Sequence, residues 1–431
     1  MNISELYQLF LKYPLISTDS RKCKSDSLFF ALKGEHFDGN DYIEQVLDSG
    51  VEYAVGDRNT LPENNRIILV EDVLQTLQDL ANFHRSRMSA KIIAVTGTNG
   101  KTTTKELMAA VLSSKYNVLY TEGNLNNHIG VPLTLLKLRK EHEFGIIEMG
   151  ANHPGEINEL CEIADPDYGL ITNIGKAHLE GFGSLDGIIQ TKTELYRYLQ
   201  QKDGIIFENS ENVLLKKFHD NHSSVVRYGI DSENFVSGEA VCSAPYLKLR
   251  WKDKNTTNTV QTHLIGNYNL ENVLSAICIG KFFEVPNDKI NESLTNYVPS
   301  NNRSQRKTTE NNKLILDAYN ANPSSMSAAL ENFNALDVSP KMVILGEMKE
   351  LGEYSSVEHR KILNQLIKYK IDKVLLVGNS FHENNLNLPH WKQFPDTDDL
   401  MNYLQTEKIK GFHILIKGSR SNRLERIIDW L

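Results

Sequence analysis

Lys91-Ile92-Ile93-Ala94-Val95 leads directly into Thr96-Gly97-Thr98-Asn99-Gly100-Lys101-Thr102, and a helical pattern with Leu107, Met108, Val111 and Leu112 on one side follows. An apolar β-branched run, a glycine-rich turn and an amphipathic helix describe the start of a parallel α/β unit. The glycines let backbone N–H groups close around an anion, and the helix N-terminus adds the positive end of its dipole. Lys101 supplies a mobile cation, and Thr102 a hydroxyl of the kind that joins a magnesium shell. The spacing departs from G-x-x-x-x-G-K-[ST], because Val95 occupies the first glycine position. Taken alone, the turn reads as a short phosphate loop or as a tight βα connection with a capping threonine.

Further strands surround this unit. The apolar run at 144–147 ends in Glu148, and that at 168–172 ends in polar residues. A strand-end carboxylate beside a phosphate loop suits magnesium, although a lone glutamate there is also an ordinary solvated residue. Before residue 90, short β-like runs at 28–32, 53–55 and 66–70 precede a helix with Val73, Leu77, Leu80 and Ala81 on one face. After residue 299 a βα rhythm returns, its strands running into Asp317, Gly346, Gly378 and Lys417. Polar or glycine positions at the carboxyl ends of parallel strands are where open α/β sheets bind ligands. Alternation between Ile205 and Ile265 predicts an antiparallel addition to the central sheet. Ser300 to Ser304 reads as a hinge. The predicted fold class is α/β with three domains: 1–90, a small α/β unit; 91–298, a parallel-sheet nucleotide domain with the antiparallel addition; and 299–431, a Rossmann-like unit.

Bulk properties narrow the partners. The chain has 431 residues, 47 Lys and Arg against 55 Asp and Glu, and a formal charge of −8, with no dense basic stripe. That argues against nucleic-acid binding and leaves anionic ligands to local pockets. Cys23, Cys161, Cys242 and Cys278 lie far apart without CxxC pairing, which argues against a structural zinc site or disulfide framework and suits a reducing cytoplasm. No signal-type core stands at the N-terminus, and no apolar run approaches the roughly 18 residues of a membrane span. A cytoplasmic enzyme, monomeric, is expected.

The six residues Gly97–Thr102 (GTNGKT) resemble the phosphate loop of the Mur ligase and folylpolyglutamate synthase superfamily. Thr121–Pro132 (TEGNLNNHIGVP), Glu148–Glu156 (EMGANHPGE) and Ala177–Ser184 (AHLEGFGS) resemble the D-alanyl-D-alanine-adding branch of the Mur ligases. So do Asp317–Pro323 (DAYNANP), Leu345–Tyr354 (LGEMKELGEY) and Lys417–Ser421 (KGSRS), while Thr18–Arg21 (TDSR) and Leu28–Gly34 (LFFALKG) resemble its UDP-binding domain. The resemblance spans nearly the whole chain. It implies an ATP-dependent ligase that adds D-alanyl-D-alanine to UDP-N-acetylmuramoyl-tripeptide through an acyl phosphate, forming ADP. A sister ligase or a folylpolyglutamate synthase-like enzyme with another amino donor is the alternative. Asn320 stands where the tripeptide-forming sister carries His in D-Y-A-H-x-P, and no D-N-P-R string is present. A non-catalytic nucleotide switch has no evident need for a second metal site.

The resemblance also implies residue roles. Gly97, Thr98, Asn99, Gly100, Lys101, Thr102 and Thr103 would cradle ATP. Thr102 and Glu148 would hold one Mg²⁺ and His178 a second. Lys192, in Gln190–Leu195 (QTKTEL), matches a carbamylated lysine that supports the metal, so Lys101, Glu148, His178 and Lys192 form the implied catalytic set. Only a neutral amine takes up CO₂, and a lysine near pKa 10.4 is neutral about once in a few thousand at pH 7, so burial or nearby cations must favour that form. Without the resemblance Lys192 reads as a solvent-facing helix lysine. Gly266–Ala276 (GNYNLENVLSA) resembles the adenine motif G-x-H-N-x-x-N-x-x-A-A, with Tyr268 for His and Ser275 for Ala. Asn269 and Asn272 are retained, though Asn269 also reads as a helix cap. Arg303 matches a linker arginine that reaches the phosphates, with Arg306 near enough to exchange roles, and Asp317 an acid near the ribose. Ser20 and Arg21 would meet the uridine end, and Asn320, Asn322, Lys417 and Arg420 the substrates.

Overall fold

The structure, a computed structural model, describes residues 1–218, 222–300, 303–382 and 388–431. Among the described residues, strands build three main sheets. The first is parallel, in the order Leu15–Ser17, Ser27–Phe30, Tyr53–Gly56, Ile67–Leu69. Its helix Val73–Arg85 turns Val73, Leu77, Leu80 and Ala81 inward, as the periodicity predicts.

The second sheet carries the phosphate loop. The strand Lys91–Thr96 lies between Phe144–Glu148 and Tyr168–Ile171, parallel to both. The chain crosses from one side of Lys91–Thr96 to the other, so a topological switch point opens at its carboxyl end, where α/β sheets hold ligands. Beyond Tyr168–Ile171 the sheet continues through Ile205–Asn209, Val225–Gly229 and Val236–Cys242, all parallel. The antiparallel part is therefore shorter than predicted. It begins only where Val236–Cys242 pairs with Lys248–Lys252 and that strand with Thr257–Gln261. Strand direction depends on the return path of the chain, which alternation does not report.

The third sheet runs Gln305–Thr308, Lys313–Asp317, His413–Lys417, Lys341–Gly346, Lys373–Val377, Trp391–Phe394, and only Gln305–Thr308 is antiparallel to its neighbour. Its two edge strands were not foreseen, being four polar or mixed residues each. Asp317 and Lys417 end adjacent strands in register. Of the expected hinge, Asn301 and Asn302 lie outside the described residues; Arg303 and Ser304 enter the third unit.

Candidate active site

Backbone geometry dictates the phosphate loop. Gly97 and Gly100 have φ of +138° and +79°. A Cβ on Gly97 would lie 2.1 Å from Thr172 Oγ1, and one on Gly100 2.6 Å from Asn272 Oδ1, so both sites exclude a side chain by strain and by contact. The helix Lys101–Ser113 starts at Gly100 without a side-chain cap, so capping threonine does not explain the turn. The Asn99 N–H donates to Asn173 Oδ1 at 3.0 Å. Lys101 Nζ donates to the Gly97 and Thr98 carbonyls at 2.8 and 3.2 Å. Burial lowers its pKa; Glu148 opposes that shift and Arg303 adds to it.

Glu148 ends its strand at 2 % exposure. Its Oε1 accepts from Asn126 Nδ2 at 2.8 Å, whereas Oε2 is buried without a hydrogen-bond partner, the Lys105 ammonium standing 3.8 Å away. Such an oxygen retains room for a hard cation. His178 adopts φ +50° and sets Nδ1 2.6 Å from Glu350 Oε2 of the third unit. Lys192 is no solvent-facing lysine. It is 2 % exposed, with Nζ 3.5 Å from the Ala151 carbonyl and 5.4 Å from the Phe182 ring centroid. Burial first, then Lys101, pushes its pKa well down, against Glu156 and Glu194. The neutral amine that carbamylation requires is thereby favoured.

A cavity of about 550 Å³ joins these parts. Thr98 to Thr103, Glu148, His178, Asn269 and Asn272 line it from the central unit; Arg303, Asp317, Asn320, Asn322 and Lys417 line it from the third. Asn269 makes no side-chain cap bond; its Nδ2 donates to the Ile265 carbonyl at 2.8 Å, and its Oδ1 accepts from Asn272 Nδ2 at 2.9 Å. Asn272 Oδ1 accepts from Thr104 Oγ1 at 3.1 Å, tying this helix to the phosphate-loop helix. Arg303 lies 3.8 Å from the Tyr319 ring centroid with a buried, unpartnered Nε. Arg306 instead lies 5.3 Å from the Tyr246 ring centroid and is not in the cavity wall. Lys417 is buried, donating to Asp317 Oδ2 at 2.6 Å and to the Asn320 carbonyl at 3.2 Å. Asn322 caps the helix Pro323–Ala335 and donates through Nδ2 to Asn99 Oδ1 at 2.8 Å, joining the third unit to the phosphate loop.

Other expected residues stand apart from the cavity wall. Lys192 lies behind Ala151, which does line it, and Gly97 sits at the root of the loop. Arg420 is 63 % exposed and 3.9 Å from Glu425. Ser20 and Arg21 occupy a short turn of the first unit, where Arg21, 85 % exposed, is paired with Asp19. Sequence reasoning missed Asn126, Tyr268, Ser304, Tyr319 and Glu350 as site residues. Asn126, Tyr268, Tyr319 and Glu350 fall inside the quoted motifs, but partners far away in sequence give them their roles.

A glycine-built loop, a strand-end carboxylate with one oxygen left without a hydrogen-bond partner and a second α/β unit closing over them define a nucleotide-dependent ligase architecture. The chain belongs to the Mur ligase family. The family descriptions that match are Mur ligase family, catalytic domain, over residues 12–85; Mur ligase middle domain, over 95–280; and Mur ligase, glutamate ligase domain, over 302–420. Within the family, the chain is 34 % identical to the UDP-N-acetylmuramoyl-tripeptide–D-alanyl-D-alanine ligase of Bacillus subtilis (strain 168), covering 96 % of this chain and 92 % of that one. It is 33 % identical, with the same coverage, to the ligase of that name from Escherichia coli (strain K12). Among solved structures, MurF from Acinetobacter baumannii superimposes with TM-score 0.87 at 29 % identity, covering 99 % of this chain and 98 % of that one. The MurF ligase of Thermotoga maritima in complex with ADP also gives 0.87, at 27 % identity and 97 % of each chain.

Proposed function

We propose that the protein is an ATP-dependent ligase that joins D-alanyl-D-alanine to the terminal carboxylate of UDP-N-acetylmuramoyl-tripeptide, forming ADP and phosphate, as a cytoplasmic step of peptidoglycan precursor synthesis. The observation that carries this reading is the convergence of Lys101, Arg303 and the Gly100 helix end on one cavity with the free Glu148 oxygen. Matches in name to the D-alanyl-D-alanine ligases over nearly the full chain favour that amino donor over the sister reactions.

In this mechanism a carboxylate oxygen of the tripeptide attacks the γ-phosphorus of ATP, and ADP leaves. The amine of D-alanyl-D-alanine then attacks the acyl carbon, loses a proton, and phosphate departs. Both partners of the first step are anions, so charge neutralisation is the main catalytic demand. Lys101, which among the described residues donates to two carbonyls, can swing its ammonium from them to phosphate oxygens. Arg303 Nε has no hydrogen-bond partner among the described residues and serves the same charge. The Asn269 and Asn272 amides each keep a second N–H for the acceptor edge of adenine. Mg²⁺ prefers oxygen donors, which fits Thr102 and the Glu148 oxygen as the residues that would hold one ion; His178, a nitrogen donor, would contact a second as the family resemblance implies. When bound, the ions polarise the phosphoryl group. A carbamate on Lys192, formed when its neutral amine adds to CO₂ and releases a proton, would place an anion behind Ala151 to support this metal site. Closure of the third unit excludes water from the acyl phosphate.

The test is phosphate release from MgATP and UDP-N-acetylmuramoyl-tripeptide, with and without D-alanyl-D-alanine. Release that depends on the dipeptide, with the matching product mass, is expected. Release that requires a free diamino acid on the dipeptide precursor, or folate and glutamate, overturns the choice of donor. Lys192→Ala is expected to be poorly active and partly rescued by short carboxylates; full activity without them removes the carbamate.

A further inference from the structure

Tyr268 stands where the adenine motif carries His, and its contacts reach the linker rather than the loop beside it. The Tyr268 hydroxyl lies 2.7 Å from Ser304 Oγ. The residue is 37 % exposed as a whole, and enclosure of its hydroxyl end, with Asp317 nearby, raises the pKa of this hydroxyl against the Ser304 bond and keeps it protonated. Gly266, at φ +87°, leaves room for the ring: a Cβ there would lie 2.5 Å from Tyr268 Cε1. Ser304 itself has φ +48°, a conformation that a residue with a side chain keeps only where its surroundings hold it. Two bonds do so. Tyr268 holds the side chain from the central unit, and Asp317 Oδ1 accepts the Ser304 N–H at 3.2 Å from the third. Asp317 is in turn fixed by Lys417. The next residue back is Arg303, lying over the Tyr319 ring with its Nε buried and unpartnered at the cavity.

We propose that Tyr268 is a positioning residue: by gripping Ser304 it sets the backbone of the linker so that Arg303 is aimed at the anion in the cavity. The inference rests on the nucleotide reading given above. Tyr268 then acts through Arg303, and its hydroxyl matters for ATP rather than for the peptide substrates.

Tyr268→Phe keeps the ring and removes the hydroxyl; Ser304→Ala removes the other half of the bond. Both are assayed for ATP KM, acceptor KM and kcat, alone, together and in an Arg303→Ala background, with thermal melting alongside. Each single change is expected to raise ATP KM about three- to tenfold, the value of one hydrogen bond, and to leave acceptor KM unchanged. The double variant is expected to be no worse than either single one, and Tyr268→Phe to add nothing once Arg303 is Ala. Additive losses in either combination, or a lowered melting temperature with unchanged ATP KM, overturn the proposal. Should Tyr268→Phe fail to fold, Ser304→Ala carries the same comparison with Arg303→Ala. Wild-type protein that turns over no ATP overturns the ligase reading and this inference with it.

Discussion

The seam between the first and central units is closed by buried groups, whereas the seam between the central and third units is bridged by polar pairs that water reaches. In the first, the helix Val73–Arg85 packs against Gly130–Leu135 and Glu156–Ala164. His84 bonds the Leu138 carbonyl and Arg85 the Ala164 and Asp165 carbonyls and Asp167, with His84 and Arg85 at 2 % and 7 % exposure. In the second, Lys176 pairs with Glu358 at 2.9 Å, His178 with Glu350 at 2.6 Å, and Asn322 with Asn99 at 2.8 Å. Each of the two ion pairs has one end open to water: Lys176 and Glu350 are 41 % and 54 % exposed, their partners Glu358 and His178 6 % and 26 %. Pairs with one end open to water contribute less stability than enclosed ones and exchange more readily with solvent, so the second seam is the one suited to opening. The cavity sits there. A fixed joint and a movable joint are thus written in the same residue types, and burial decides which is which.

Three changes press on this contrast. Lys101→Ala strips the movable seam of its central cation, and phosphate release is expected to fall by about a hundredfold or more. Its melting temperature is expected to match wild type, because Lys101 Nζ bonds only two loop carbonyls. Arg85→Ala attacks the fixed seam. Removing one partner of a buried pair costs roughly 3–5 kcal/mol, and the partial exposure of Asp167 reduces this to about 2–3 kcal/mol. Denaturant unfolding is expected to register that loss while kcat of the folded protein stays near wild type. Glu358→Gln, the mildest change, weakens the buried carboxylate's pairing with the half-exposed Lys176 and Lys361 while keeping its shape, and is expected to lower kcat about two- to fivefold and stability by no more than about 1 kcal/mol. An Arg85→Ala variant as stable as wild type, or a Glu358→Gln variant that unfolds early, would erase the difference between the seams.

Much of the site was legible because it is local. Strand, GTNGKT loop and helix are contiguous, and the steric demands at Gly97 and Gly100 are met in the order the chain supplies them. Glu148 at a strand end was equally plain, since the strand Phe144–Glu148 is buried throughout. The reading of Lys192 could go either way until its surroundings were known: the same helix residue is solvated or buried according to what packs over it. Ser20 and Arg21 carry a family motif yet stand outside the cavity described here, and nothing in their local sequence measures that distance. The antiparallel addition is present but starts later in the chain than alternation suggested, for a similar reason, as strand direction is set by crossovers and not by alternation.

The sequence by itself determined the α/β class, the three-part order of sheets, the glycine-rich strand–loop–helix and the family, because each depends on residues close together in the chain or on motifs of fixed spacing. Only the tertiary structure decided that Glu148 keeps a free oxygen, that Lys192 is stripped of water, that Lys417 is spent on Asp317, and that Tyr268 reaches Ser304. Those outcomes depend on desolvation and on partners brought together from distant segments, and neither is encoded at the position itself.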